Sequence, residues 1–210
     1  MFQEPIVIPF LSNFELYLTR VAPDGDCFFH AVLAGYSKSY NQNPQLRGSK
    51  ARGLRVDIAN FLKSEIVTEN SDNKLIYHHL AGGNLPSFGQ VDHDYTLESM
   101  YNWIISKRFV GTEMVEITSL YTNINIFIID INDMDLIIHG KLEDWYDPKR
   151  TNIVLFYSCV LLTTGKDIGG HFDLCKVKHI DGTAVSHLKP SHSFIQAIID
   201  RYNYRTIHKI

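Results

Sequence analysis

The chain reads as an α/β (α+β) domain with one sheet and helices packed against it, on three observations. Its first half carries apolar residues at helical spacing, and its second half carries short runs rich in Ile, Val and Phe bounded by turn residues. With 210 residues and 45% apolar content it is long enough for one sizeable core. No linker is long or polar enough to split it, so residues 1–210 are expected to form a single domain.

The elements follow in order. Phe28, Phe29, Ala31, Val32 and Leu33 form an apolar run after a polar turn and predict a buried helix with Cys27 at or near its N-terminus. Residues 37–50 are polar and read as a loop. Leu54, Ile58, Phe61, Leu62 and Ile66 predict a helix over 49–66, with Ser49 as its N-cap. A shorter helix is expected over 74–81, stopped by Gly82-Gly83, then a loop over 84–94. Helices over 95–106 and 112–121 follow, the first carrying Met100 and Ile104, the second Met114 and Ile117. Residues 125–130, 136–139, 152–158 and 171–178 are the expected strands, and 193–202 a final helix.

Net charge is −3, and no long Lys/Arg run exists, so neither a nucleic-acid surface nor a membrane partner is expected. Arg47, Lys50, Arg52 and Arg55 read as a solvated helix face. Three cysteines build no disulfide framework and fit a reducing compartment. The N-terminus lacks a signal-peptide pattern, and no apolar run is long enough to span a bilayer. A cytoplasmic location is the expectation.

The stretch Pro23-Asp24-Gly25-Asp26-Cys27-Phe28-Phe29-His30-Ala31-Val32 places a thiol where a tight turn meets a helix. Asp-Gly is a strong turn signal. The unpaired N–H groups and the dipole at a helix N-terminus favour an anion, so the thiol pKa is expected to fall. The same groups can stabilise an oxyanion. A nucleophile and a buried structural cysteine both fit this stretch; a suitably placed histidine decides between them. His171 begins the run His171-Phe172-Asp173-Leu174-Cys175 after Gly169-Gly170. On a strand, His171 and Asp173 share one face while Phe172 and Leu174 face the core. A carboxylate two residues away can fix the imidazole tautomer and leave the second nitrogen to take a thiol proton. A His171/Cys175 metal pair lacks the further ligands of a four-coordinate site. His30 is read as packing or hydrogen bonding behind the loop, and His78-His79 as surface residues.

Three blocks in order resemble the ovarian tumour (OTU) family of cysteine proteases. They are the cysteine box over 23–31, the block Gly111-Thr112-Glu113-Met114-Val115-Glu116-Ile117 running into Ile124-Asn125-Ile126, and His171-Phe172-Asp173. The motifs span about 23–177. The resemblance implies a papain-like fold, a small sheet flanked by helices, in a deubiquitinase that cleaves bonds at the C-terminal glycine of ubiquitin. By position, Cys27 is the nucleophile, His171 the general base and then acid, and Asp173 its orienting partner. Asp24 shapes the cysteine loop with Gly25 and Asp26, and the N–H groups of Asp24 and Cys27 line the oxyanion hole. No metal or organic cofactor is implied; the implied partners are ubiquitin and polyubiquitin chains. A non-catalytic ubiquitin-binding module and a thiol protease on ordinary peptides or ubiquitin-like modifiers are the alternatives.

The sequence departs from the family pattern in three places. Asp26 replaces the commoner Asn and adds a charge beside the thiol, His30 stands where Arg or Ser is frequent, and Val110 replaces the usual Trp. Tyr36, Trp103, Phe109, Trp145 and Phe172 are candidate walls for a Gly-Gly channel, with core packing expected for most. Composition rich in Ile, Asn, Tyr and Lys fits an AT-rich genome, and the expectation is a viral or pathogen protein acting on host ubiquitin conjugates.

Overall fold

The computed structural model describes residues 4–67, 73–79, 96–106, 108–111, 114–161, 167–179 and 181–208. In chain order it contains β1 (Leu16–Thr19), α1 (Cys27–Tyr36), α2 (Lys38–Gln42), α3 (Arg47–Phe61), β2 (Glu65–Val67), β3 (Asn73–Leu75), α4 (Ile76–His79), α5 (Leu97–Ile105) and α6 (Met114–Thr122). There follow β4 (Ile124–Asp130), β5 (Asp135–Leu136), α7 (Leu142–Trp145), β6 (Thr151–Leu161), β7 (Asp167–Lys178), β8 (Ala184–Val185) and α8 (Ser193–His208). The main sheet runs β1-β7-β6-β4-β5, with β8 also paired to β7. β4 and β6 are parallel, and the other pairings are antiparallel. This mixed sheet between helices is the α/β class the sequence predicts.

Strand alternation divides the core in two. Ile126, Ile128, Ile153, Leu155, Phe172 and Leu174 pack with α1, α3, α5 and α6. Phe127, Ile129, Val154, Phe156, Cys175 and Val177 pack on the opposite face with Trp145, Phe194, Ile198 and Tyr202. A sheet covered on both faces explains why β4 and β6 read as nearly continuous apolar runs. Two buried polar groups interrupt them and are satisfied: Asn125 Nδ2 donates to the Asp147 carbonyl at 2.8 Å and to Asn152 Oδ1 at 3.1 Å. α1 approaches the sheet closely at Gly35, where an added Cβ would stand 3.0 Å from the Ile153 side chain. That approach seats the C-terminal end of the helix against β6 and β7.

Several expectations need correction. Residues 37–50 are helical: Ser37 Oγ caps α2 by accepting the Tyr40 N–H at 3.3 Å, and a 3-10 turn over Pro44–Leu46 leads into α3. α3 starts at Arg47, two residues before Ser49, whose hydroxyl donates back to the Leu46 carbonyl. It ends at Phe61, and Ile66 belongs to β2. The segment read as a helix over 74–81 splits into β3 and a single turn of α4; Gly82, Gly83 and the loop over 84–94 lie outside the described residues. β1, β2 and β8 were not expected; each is held by its partner strand. β7 extends back through Gly170, which pairs with Cys159. No helix among the described residues is long and apolar enough to cross a membrane.

His139 sits on the second core, its ring 4.5 Å from that of Trp145, and neither ring nitrogen makes a well-formed hydrogen bond. Burial pulls its pKa down to about 4, against a weaker opposing effect of the Ile137 backbone. The unfolded chain therefore binds a proton between pH 6.5 and 4 that the folded chain refuses, and stability falls as pH falls through that window. The loss attributable to this ring reaches about 3 kcal/mol. Urea unfolding at pH 7.5 and 4.5 will show a smaller acid loss for His139→Phe than for the wild type; equal losses would assign the acid sensitivity elsewhere.

Candidate active site

Cys27 is the first residue of α1 and only 2% exposed. Its turn is drawn tight by three contacts of Asp24. The Asp24 carbonyl accepts the Cys27 N–H at 3.1 Å, Oδ1 accepts the Asp26 N–H at 2.9 Å, and Oδ2 lies 3.4 Å from His30 Nε2. The last approach is too poorly aligned to count as a hydrogen bond. The other nitrogen of His30, Nδ1, pairs with the Tyr40 hydroxyl at 2.6 Å, so His30 is a buried brace behind the loop, as its sequence context suggested.

β7 brings the second half of the site. β1 pairs with β7 only from Leu174 to Val177. Beyond that register the backbone of Phe172 meets the Cys27 sulfur, and its N–H, with that of Phe28, favours the thiolate. The rings of Phe28 and Phe172 meet edge to face at 5.2 Å. Flanking Phe172, His171 Nε2 lies 3.1 Å from Asp173 Oδ1. The same carboxylate oxygen accepts the Val21 N–H at 2.8 Å, which ties the segment before the cysteine loop to β7. Asp173 is 7% exposed; the Val21 N–H donates to it, and His171 Nε2 does so in the tautomer that carries its proton there. His171 and Asp173 thus share a face, with Phe172 and Leu174 in the opposite core, as strand alternation predicts.

The thiol differs from expectation. Burial pushes the Cys27 pKa up to about 11, against the Phe172 and Phe28 amides, and the carboxylates of Asp24 and Asp173 push the same way. The helix-terminus argument gave the opposite sign because it counted local dipoles and not the loss of water. At neutral pH the resting thiol is protonated, so it needs a base. The expected donor pair for an oxyanion also changes: the Cys27 N–H is already bonded to the Asp24 carbonyl.

The aromatic candidates separate. Phe172 is fully buried, and Trp145 lies in the opposite core against Phe127 and Tyr202. Phe109 is half-buried and stacks on Phe172 at 5.8 Å. Trp103 and Tyr36 are half-buried against the first core. Tyr157 was missed by sequence reasoning. Its ring packs at 5.1 Å from Phe172 and covers Gly170, where an added Cβ would fall 1.9 Å from the ring. A larger residue before His171 would require the Tyr157 ring to move. Thr112 and Glu113 of the middle block lie outside the described residues; the rest of that block forms α6 and leads into β4.

Arg55 was also missed. It is wholly buried, and its Nη1 donates to Asp26 Oδ1 at 2.9 Å and to the Gly25 carbonyl at 2.6 Å. Arg52, half-buried, donates to the carbonyls of Ile105 and Ser106. The solvated face read from the sequence is wrong at these two positions. Burial lowers the Arg55 pKa while Asp26 opposes the shift.

With this geometry in place, solved structures give the comparison. An ovarian tumour domain in complex with ubiquitin superposes with a TM-score of 0.55, covering 94% of this chain and 88% of that one at 14% identity. The chain has the fold of an OTU domain. Two viral OTU structures align less closely: that of Hazara virus bound to ubiquitin (TM-score 0.45, 12% identity, 80% of this chain and 85% of that one) and the Farallon virus protease (0.38, 20%, 82% and 88%). No protein-family model matches the sequence, and no curated protein does. Within the OTU fold, Cys27 and the His171–Asp173 pair occupy the junction of α1 and β7.

Proposed function

We propose that this protein is a deubiquitinating cysteine protease in which Cys27, His171 and Asp173 form the catalytic triad. The observation that carries the reading is the His171–Asp173 pair on the strand whose Phe172 amide meets the Cys27 sulfur. The OTU fold, and the ubiquitin bound to the structure that shares it, supply the substrate class.

In this mechanism Asp173 accepts from His171 Nε2 and leaves Nδ1 as the proton acceptor. His171 takes the Cys27 proton as the sulfur attacks the carbonyl of ubiquitin's terminal glycine. The tetrahedral oxyanion forms, then collapses as His171 protonates the leaving lysine amine, giving a thioester. His171 next takes a proton from water, which attacks the thioester; the imidazolium returns that proton to the departing sulfur. Proton transfer of this kind contributes ~10²–10⁴-fold to the rate. A buried, protonated thiol in the resting state makes the base indispensable. Because the Cys27 N–H is held by the Asp24 carbonyl, the 24–27 turn has to open or share that donor when the oxyanion forms. Asp24 and Asp26 act on the loop, Asp24 lying 3.4 Å from His30 and Asp26 pairing with Arg55.

The test is hydrolysis of a ubiquitin C-terminal fluorogenic amide by the wild-type protein, beside a generic peptide amide. The reading expects release from ubiquitin and at most traces from the peptide. Turnover of the peptide alone would make the protein an ordinary thiol protease, and turnover of neither would leave a binding module.

A further inference from the structure

We propose that Arg55 is a positioning residue for the nucleophile, anchoring the loop that presents Cys27 and cancelling the charge that Asp26 places beside it. This inference rests on the reading of Cys27 as nucleophile. Four polar groups converge on one guanidinium. Nη1 holds the Gly25 carbonyl and Asp26 Oδ1, Nε donates to the Ile104 carbonyl, and Nη2 holds the Arg108 carbonyl at 2.6 Å. The guanidinium also lies 5.3 Å from the Phe29 ring on α1.

The consequences are geometric. With the Gly25 oxygen held by Arg55 and the Asp26 N–H held by Asp24 Oδ1, both ends of the 25–26 peptide are fixed and its plane cannot turn. The residue after that peptide is Cys27. On its other side Arg55 fixes Arg108, and the next residue, Phe109, stacks on Phe172 between His171 and Asp173. One side chain thus braces the cysteine loop and the support of the histidine strand together. Burying an arginine with a carboxylate is a weak source of stability, since an apolar side chain of like size is often as good. A planar fork that addresses several fixed acceptors gives geometry instead.

The charges acting on Cys27 are Asp24 from its own loop, Asp173 from β7 and Arg55 from α3; His30 lies against Asp24, His171 against Asp173, Asp26 against Arg55, and Arg52 acts on Arg55. Two carboxylates raise the thiol pKa, a third precedes it in the chain and is held by Arg55, and Arg55 is the buried permanent cation among these groups. Electrostatic attraction between Arg55 and an ionised Cys27 is part of its environment.

The experiment compares wild type, Arg55→Met and Arg55→Lys. Melting curves establish the folded fraction. Iodoacetamide alkylation of Cys27, followed by peptide mass spectrometry from pH 6 to 10, reads the thiol, and a ubiquitin C-terminal electrophile reads the assembled site. Arg55→Met is expected to slow alkylation about tenfold at a given pH, the equivalent of one pH unit. Its labelling by the ubiquitin electrophile should fall roughly 10²-fold. Arg55→Lys keeps the charge and loses the fork, so its alkylation should stay near wild type while ubiquitin labelling falls roughly tenfold. Wild-type alkylation and labelling per folded Arg55→Met molecule would overturn the proposal. Should Arg55→Met not fold, wild-type labelling by Arg55→Lys overturns it equally. If the wild type itself is not labelled by the ubiquitin electrophile, the deubiquitinase reading fails, and the alkylation profiles still decide the role of Arg55.

Discussion

Cys27→Ser will fold and bind ubiquitin as the wild type does, and will hydrolyse ubiquitin amides ~10⁴-fold more slowly or worse. The substitution exchanges one atom at a fully packed position at the head of α1, so the Phe28 and Phe172 contacts survive. What changes is the nucleophile. Burial raises the pKa of the Cys27 thiol to about 11, yet a thiol is still a stronger acid and a better nucleophile than the hydroxyl that replaces it. A serine hydroxyl in the same dry position is a far weaker acid and would need a base and an oxyanion hole tuned for it. The Asp24 carbonyl occupies one of the expected donors. Initial rates on a ubiquitin fluorogenic amide, with binding measured separately by calorimetry, check this. A Cys27→Ser enzyme within tenfold of wild type would remove Cys27 from the chemistry.

Substitutions of Asp173 will separate into two classes. Asp173 Oδ1 accepts from both His171 Nε2 and the Val21 N–H. An asparagine oxygen can accept both of these bonds, so Asp173→Asn keeps the ring orientation and the tautomer and loses only the charge that steadies the imidazolium. Losing the charge assistance of that one hydrogen bond, about 1.4 kcal/mol, should lower kcat about tenfold. Asp173→Ala abandons both donors, leaving a buried N–H at Val21 unpaired and the His171 ring free to rotate. Its kcat should fall ~10²–10³-fold, with a stability loss of about 1–3 kcal/mol from the orphaned amide. Ubiquitin affinity should hold in both. The readouts are kcat and KM for the two variants and urea unfolding of each. Equal, small effects of the two substitutions would mean that another group orients His171.

Much of the fold was legible because its main elements carry their own pattern. α1, α5, α6 and α8 present apolar residues at helical spacing, and β4, β6 and β7 are apolar runs between turns. The elements that escaped are those whose stability is borrowed. β1 has four residues and β8 two, and each is held by register with β7. α2 depends on a Ser37 cap and on burial of Tyr40 against His30, a contact between separate segments. Gly170 is a strand residue, and only a tertiary contact reveals the Tyr157 ring above it.

The candidate site divides in the same way. The His171–Asp173 pairing followed from strand alternation alone. The thiol pKa did not follow from the helix terminus, since dipoles are local and burial is not. Arg55 had left a signal. Ala51, Leu54, Ile58 and Ala59 mark the buried stripe of α3, and residue 55 falls inside it. A charge placed in such a stripe calls for a buried partner, and the extra carboxylate of Asp26 was the unmatched charge in the cysteine box.

If the sulfur of Cys27, served by His171, takes the C-terminal acyl group of ubiquitin, an electrophile at that terminus will be captured there. The most direct measurement is the intact mass and peptide map of the protein after reaction with a ubiquitin carrying a C-terminal electrophile. One added ubiquitin is expected, joined to the peptide containing Cys27, with formation slowed by orders of magnitude in His171→Ala. No adduct, or an adduct mapped to Cys159 or Cys175, would contradict it.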